Sequence, residues 1–358
     1  MSEKQSRARE RIRLGIIGCG KVAHHRHVPA LNLIPRFQIV AASDTQADRL
    51  DRFAREYNVP QRYPDYHELL ENPDIDAVAV LTHTGAHAEI GLAAMEAGKH
   101  LFMEKPLALT LEDCERLIEK SNAAPTKSLL CFNLRRHRLI QRAREELRTG
   151  KMGQIRAIRS VYTHLRDGSQ APSWHRVLDL GGGVTFNEAV HHFDLWYYLL
   201  GQEVTHISAF HTPDDYYEDE SSVITAKFEN GMLGSMYNTF RTSPNNEVEI
   251  YGESGRLYLN LYKFDGLDFF PAEKYPGNIP NRMKKLVQSG WDFLRYLPIL
   301  RRGGGFPDTF YQTWQHFADC VLHGQTPGCT FEDGKRALKI ALATIESFNS
   351  QSVVTVNG

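Results

Sequence analysis

The stretch Ile12-Arg13-Leu14-Gly15-Ile16-Ile17 runs straight into Gly18-Cys19-Gly20-Lys21-Val22-Ala23. An apolar strand followed at once by G-x-G-x-x-A and a helix leaves few folds open. The glycines let the backbone approach an anion at the helix N-terminus. The pattern alone is weak, and its weight comes from the next strand, Phe37 to Ser43, which ends in Asp44. A carboxylate there can accept from both hydroxyls of a ribose and repels a 2′-phosphate, which favours NAD over NADP. The acid comes late because the helix and loop from His24 to Arg36 are long. Strand, glycine turn, helix, strand and acid, in this order, point to a dinucleotide site.

The alternation continues downstream. Gln46 to Tyr57 has helical period, Asp76 to Thr82 reads as a strand, and His87 to Ala97 as a helix stopped by Gly98. The next strand, from Lys99, ends in Glu104-Lys105-Pro106-Leu107. Pro106 fixes its own φ and moves Lys105 out of the helical region. Two charges at that strand end would face the crevice where open α/β sheets take ligands. On the tripeptide alone, a surface ion pair before a turn stays the alternative. Thr110 to Asp113 resembles a capping box opening a helix to about Asn122, and Ser128 to Phe132 reads as one more strand. A doubly wound parallel sheet is therefore expected over residues 1–135, after a frayed charged tail at 1–10.

From residue 136 strands come in runs instead. A helix (Leu139 to Thr149) and a strand (Ile155 to His164) precede an irregular stretch around Trp174-His175-Arg176. Gly181-Gly182-Gly183 then opens a helical segment to Leu200. Five strand-like runs follow, Thr205–His211, Val223–Phe228, Met232–Phe240, Glu247–Tyr251 and Arg256–Leu261, with Asn230-Gly231 as a hairpin signal. The expectation is an α+β domain over 136–358 with a mostly antiparallel open sheet, closed by helices within 309–347.

The helix after Gly183 carries Asn187, His191 and Asp194 at i, i+4 and i+7, on one face. A histidine one turn from an amide suits proton transfer, although packed histidines remain the plainer alternative. A metal held by His191 and Asp194 lacks further ligands nearby. The cluster His24-His25-x-His27 follows the glycine loop directly and reads as lining the cofactor or the helix face, not as a zinc site. No metal is expected.

Composition narrows the class. Lys+Arg 42 against Asp+Glu 43 leaves a formal charge of -1, so no nucleic-acid-binding face is indicated. The five cysteines are dispersed, without zinc spacing, as in a reducing compartment. No signal core and no apolar run of spanning length is present, and a cytoplasmic location is expected.

Taken together, the glycine motif, Ala94 to His100, Glu104-Lys105-Pro106 and Gly181-Gly182-Gly183 through Asp194 resemble the glucose–fructose oxidoreductase, inositol dehydrogenase and MocA family (Gfo/Idh/MocA) over nearly the whole chain. The resemblance implies an N-terminal Rossmann domain and a C-terminal α/β domain that often forms oligomer contacts, here a homo-oligomer such as a dimer or tetramer. It implies hydride transfer between nicotinamide and a secondary alcohol of a sugar, sugar derivative or cyclitol. Gly18, Gly20, Lys21, Val22, Ala23, Asp44, Thr82, His83, His87, Glu104 and Lys105 fall at cofactor positions. Lys105 falls on the catalytic lysine, and His191 on the proton-transferring histidine. Asn187 replaces the aspartate of better-known members, as in a sugar-oxidising subgroup, and can orient but cannot shuttle a proton. His83-Thr84 stands where Pro-Asn is common. Arg135, Trp174 and Arg176, with Asn187 and His191, are candidate substrate contacts. A redox-assisted NAD-dependent glycosidase and a cofactor-sensing regulator are the alternatives, and retention of Lys105 and His191 argues against the regulator.

The segment 261–305 resembles the family least. Met283, Leu286, Val287, Gly290, Phe293, Leu294 and Leu297 form one helical stripe with the basic residues mostly off it. Burial against the protein's own core or as a lid is the first expectation. A neighbouring subunit is the second and peripheral membrane contact the last.

Overall fold

A computed structural model describes residues 11–273 and 279–356. The tail expected at 1–10 lies outside the described residues. The chain forms two compact units, Met1–Asn133 with Phe310–Lys335, and Leu134–Thr309 with Arg336–Gly358.

The first unit holds six strands: β1 (Ile12–Ile17), β2 (Phe37–Ser43), β3 (Gln61–Tyr63), β4 (Ala77–Val80), β5 (His100–Met103) and β6 (Ser128–Leu130). They lie in the order β3-β2-β1-β4-β5-β6, every pair parallel. This is the Rossmann order expected from the sequence. Continuous burial of Ala77, Val78, Ala79 and Val80 fits a strand covered on both faces. Strand order reverses between β1 and β4, and the glycine loop leaves β1 at that switch point. Thr110 caps its helix as read, its hydroxyl accepting from the Asp113 N–H at 3.1 Å.

Residues 310–335 join this unit, whereas the sequence reading carried them into the second domain. Aromatic packing is the reason. The buried Trp314 stacks on Phe102 of β5, ring centroids 3.8 Å apart, and meets Phe37 of β2 edge-on.

The second unit has β7 (Ile155–Leu165), β8 (Val204–Thr212), β9 (Ser221–Phe228), β10 (Leu233–Thr239), β11 (Arg241–Gly252), β12 (Gly255–Asn260), β13 (Leu267–Pro271) and β14 (Val354–Thr355). Their order is β13-β12-β11-β7-β10-β9-β8-β14, antiparallel except for the pair β7–β10. Asn230 and Gly231 make the β9–β10 turn as predicted. Gly231 takes φ 85° and the Asn230 Oδ1 accepts from the Met232 N–H at 3.0 Å. β13 and β14 have no counterpart in the sequence reading.

The helix Ile279–Leu300 departs from expectation in its orientation. Its apolar stripe does not bury against the protein's own core, since Met283, Leu286, Val287, Phe293, Leu294 and Leu297 are all exposed. Among the described residues no helix is long and apolar enough to cross a membrane.

Within this unit Arg135 grips Asp194 with both arms of its guanidinium, Nε at 2.8 Å and Nη2 at 2.5 Å from the two carboxylate oxygens. Both groups are buried. Removing one partner of such a pair costs about 3–5 kcal/mol, because the other charge stays buried without it. Asp194→Ala should lower the urea midpoint accordingly, and an unchanged midpoint would show that the pair does not hold the unit together.

Candidate active site

In the first unit the glycine loop is shaped by close approach. Gly18 has φ 96°, and a Cβ there would lie 2.8 Å from the Leu81 carbonyl. Its N–H donates to Ser43 O at 2.9 Å. A Cβ on Gly20 would meet nothing within 4 Å. The loop therefore leaves an open face at the start of the helical residues 21–31, where an anion would sit. Lys21 and Val22 are exposed there and Ala23 is buried.

Asp44 closes the loop from the side. Its Oδ2 accepts from the Cys19 N–H and its Oδ1 from the Gln46 N–H, each at 2.9 Å. A carboxylate has about four acceptor sites, two on each oxygen, so Oδ1 keeps capacity for a ribose hydroxyl. Arg49 Nη1 lies 3.3 Å from Oδ2. Burial, with the Asp44 charge adding and Arg49 opposing, pushes the Cys19 thiol well up, so this cysteine is inert.

Glu104 sits just past β5, almost fully buried. His27 Nε2 lies 2.9 Å from its Oε1, and the Lys105 N–H donates to its Oε2 at 2.9 Å. The Trp314 indole N–H, which can only donate, points at His27 Nδ1 at 3.1 Å. The imidazole therefore accepts at Nδ1 and donates from Nε2 to the carboxylate. Burial opposes the charge on Glu104, but the His27 hydrogen bond and Lys105 outweigh it and hold the carboxyl at about 2. Cys131 completes the one His/Cys/Glu group of metal-ligand proximity among the described residues. The Trp314–His27–Glu104 chain already uses both ring nitrogens, so the geometry is explained without a metal. Burial first, and the Glu104 charge second, push the Cys131 thiol far up.

His87 bridges two loops of the same crevice. Its Nδ1 lies 2.7 Å from Pro106 O and its Nε2 3.2 Å from Thr82 O. Burial lowers its pKa, and the two carbonyls only partly offset that. His83 is exposed and precedes a 3₁₀ turn at Thr84–Ala86, and Thr82 is half-buried. The Lys105–Pro106 bond is cis.

In the second unit the glycine run is set by contact with the Trp174 stretch. A Cβ on Gly182 would lie 2.6 Å from the His175 carbonyl carbon, and Gly183 has φ 76°. The helix then opens with a π turn, Thr185–Ala189, before Val190–Leu200. Asn187 lies inside the π turn, its Nδ2 donating to Gly183 O at 2.7 Å. His191 follows on the α-helical part, and both side chains are buried. Asp194, the third residue of the expected face, is taken by Arg135. That engagement gives Arg135 a structural partner where the sequence pointed to substrate. The guanidinium of Arg176 is likewise tied to its own loop, at 3.0 Å from both Ala171 O and Ser169 O. Trp174 lies half-buried in the 3₁₀ turn Ser173–His175.

Asp219 was not singled out from the sequence, yet it anchors this helix. Its Oδ2 accepts from the Thr185 N–H and its backbone O from the Val184 N–H, both at 2.8 Å. Arg166, paired with Glu188 and 3.0 Å from His175 Nε2, was also missed. An arginine or aspartate in a loop carries no local signal of its partner.

Residues 12–129 match the model described as "Oxidoreductase family, NAD-binding Rossmann fold", and residues 140–258 match the GFO/IDH/MocA C-terminal domain. The chain is similar to Myo-inositol 2-dehydrogenase of Thermotoga maritima, 28% identical over 354 residues, which span 96% of this chain and 98% of that protein. It is also similar to Levoglucosan dehydrogenase of Pseudarthrobacter phenanthrenivorans, 26% identical over 344 residues and 85% of each. Among solved structures, the WlbA dehydrogenase from Bordetella pertussis, in complex with NADH and UDP-GlcNAcA, shares the fold with TM-score 0.81. The identity there is 20%, with coverage of 98% of this chain and 99% of that one.

The buried Glu104 generates a pH prediction. Its carboxyl titrates near 4.5 when unfolded and about 2 when folded, so its contribution is complete above pH 4.5 and is lost as pH falls toward 2. Glu104→Gln should destabilise the protein by about 2–3 kcal/mol at pH 7, with the gap to the parent shrinking steadily below pH 4.5. Urea titrations across that range check it, and a pH-independent gap would remove the charge from the explanation.

Proposed function

Since this chain belongs to the Gfo/Idh/MocA family of NAD-binding oxidoreductases, we propose that it is an NAD-linked dehydrogenase acting on a secondary alcohol of a sugar, sugar derivative or cyclitol. The observation that carries this reading is the crevice at the β1–β4 switch point. The Gly18–Gly20 loop, Asp44 and the Glu104-Lys105 strand end all belong to it. Relatives at about a quarter identity whose names specify inositol and levoglucosan support this choice of substrate class.

When bound, NAD supplies the hydride acceptor at its nicotinamide ring. Gly18, Gly20, Lys21, Val22 and Ala23 take the pyrophosphate end, and Asp44 accepts from the adenosine ribose. Thr82, His83 and His87 line the path of the cofactor, and Glu104 accepts from the nicotinamide ribose. Lys105 holds the substrate oxygen and polarises it. His191 takes the hydroxyl proton in the oxidative direction, and Asn187 fixes its surroundings through the Gly183 turn without moving a proton itself. Trp174 is a candidate sugar contact; Arg135 and Arg176 stay candidates beside it, Arg135 held by Asp194 and Arg176 by its own loop.

Two experiments test the assignment. Calorimetric titration should give tighter NAD(H) than NADP(H) binding, with Asp44→Ser narrowing the difference. Equal or tighter NADP(H) binding would overturn the role of Asp44. Lys105→Ala and His191→Ala should each lower kcat by about 10²-fold or more while NADH affinity survives. Rates near the parent's would leave those side chains with a structural role only.

A further inference from the structure

Helices that complete a globular core turn their apolar side inward. The helix Ile279–Leu300 is mounted the other way round. Its polar side does the docking. Asp292, 1% exposed, lies 2.9 Å from Arg142 Nη1 and 3.7 Å from Arg138 Nη1. Lys285 reaches Asp268 at 2.7 Å, Ser289 donates to Asp265 at 2.7 Å, and the Gly305 N–H donates to the Tyr296 hydroxyl at 2.7 Å. Outward, Leu286 is 67% exposed and Trp291 63%, and Met283, Val287, Leu294 and Leu297 are exposed beside them. Helical spacing puts these six on one continuous face.

Charge selects what covers that face. Residues 279–302 contain Arg282, Lys284, Arg295 and Arg301 besides Lys285 and Arg302, which pair with Asp268 and Asp308, and their one acid, Asp292, is buried. Arg295 and Arg301 are exposed. An isologous contact with a second copy would bring this same cationic patch against itself. An anionic bilayer instead meets both features, apolar depth for Trp291 and its neighbours and lipid phosphates for the arginines. A cleft of about 710 Å³, lined by Arg142, Val287, Gln288, Trp291, Asp292 and Arg295, runs along the helix flank. We propose that helix Ile279–Leu300 is an interfacial anchor that lays its exposed apolar face on an anionic membrane surface. It lies in the plane of the interface and does not span it.

The test is co-sedimentation of the full chain with phosphatidylcholine vesicles, with and without phosphatidylglycerol. Binding is expected only with phosphatidylglycerol and should weaken as salt is raised. Leu286→Glu with Leu294→Glu should lower it about tenfold or more. Arg295→Glu with Arg301→Glu, which leaves the apolar packing alone, should do the same. NADH affinity, which involves none of these residues, should be unchanged in both. The proposal is overturned if the parent ignores anionic vesicles or if both variants bind as well as the parent. It is also overturned if the parent does not bind and the leucine variant halves the mass in solution, since a second copy then covers the helix.

Discussion

The first unit depends on how one buried carboxylate is kept charged. Glu104 stands at the end of β5, where water is nearly absent, and a carboxylate there is unfavourable unless donors surround it. His27 and the Lys105 N–H supply them, and Trp314 fixes which way His27 donates. Three separated parts of the chain are thereby joined at one point: the helix after the glycine loop, the end of β5 and the segment 310–335. The backbone leading into Lys105 is fixed by the same hydrogen bond that satisfies Glu104. The role proposed for Lys105, holding a substrate oxygen, would gain from such rigidity, since a misplacement of about 1 Å can cost about 10²-fold in rate.

The second unit solves a related problem with different parts. The helix bearing Asn187 and His191 begins as a π turn, and Asp219 holds two of its first N–H groups. The glycine run before it packs on the carbonyl of His175, where no side chain fits. Further along, the Arg135–Asp194 pair secures the same helix. Asn187 therefore sits in a turn fixed at both ends, and its amide bonds the Gly183 carbonyl. An aspartate could not make that bond, because an ionised carboxylate only accepts. The exchange of aspartate for asparagine thus has a local structural consequence as well as a chemical one.

Much of this was readable in the sequence because the signals are local. Five of the six parallel strands, the Thr110 cap and the Asn230-Gly231 turn each depend on neighbours a few residues away, whereas the three-residue β3 (Gln61–Tyr63) was not read. The pairs that finish the site do not. His27 and Glu104 are 77 residues apart, and His27 and Trp314 are 287 apart. No periodicity announces such contacts. The partner of Arg135, Asp194, is likewise 59 residues further on. β14 is only two residues long, and β13 follows a turn, so neither carries a usable pattern. The stripe on Ile279–Leu300 was correctly seen as amphipathic, but a moment gives no direction. Asp292, Lys285 and Ser289 found partners on the unit's surface and turned the polar side inward.

The central claim is that this protein removes a hydride from a carbinol carbon and leaves it on NAD. A panel of cyclitols and pyranosides deuterated at their ring carbinol positions, incubated with the protein and NAD, tests that claim most directly. The account predicts that at least one substrate yields a ketone together with an equal amount of NADH carrying the deuterium at C4 of its nicotinamide. Product released with no net NADH would contradict it in favour of a redox-assisted glycosidase, and tight NADH binding with no turnover across the panel would contradict it in favour of a cofactor sensor.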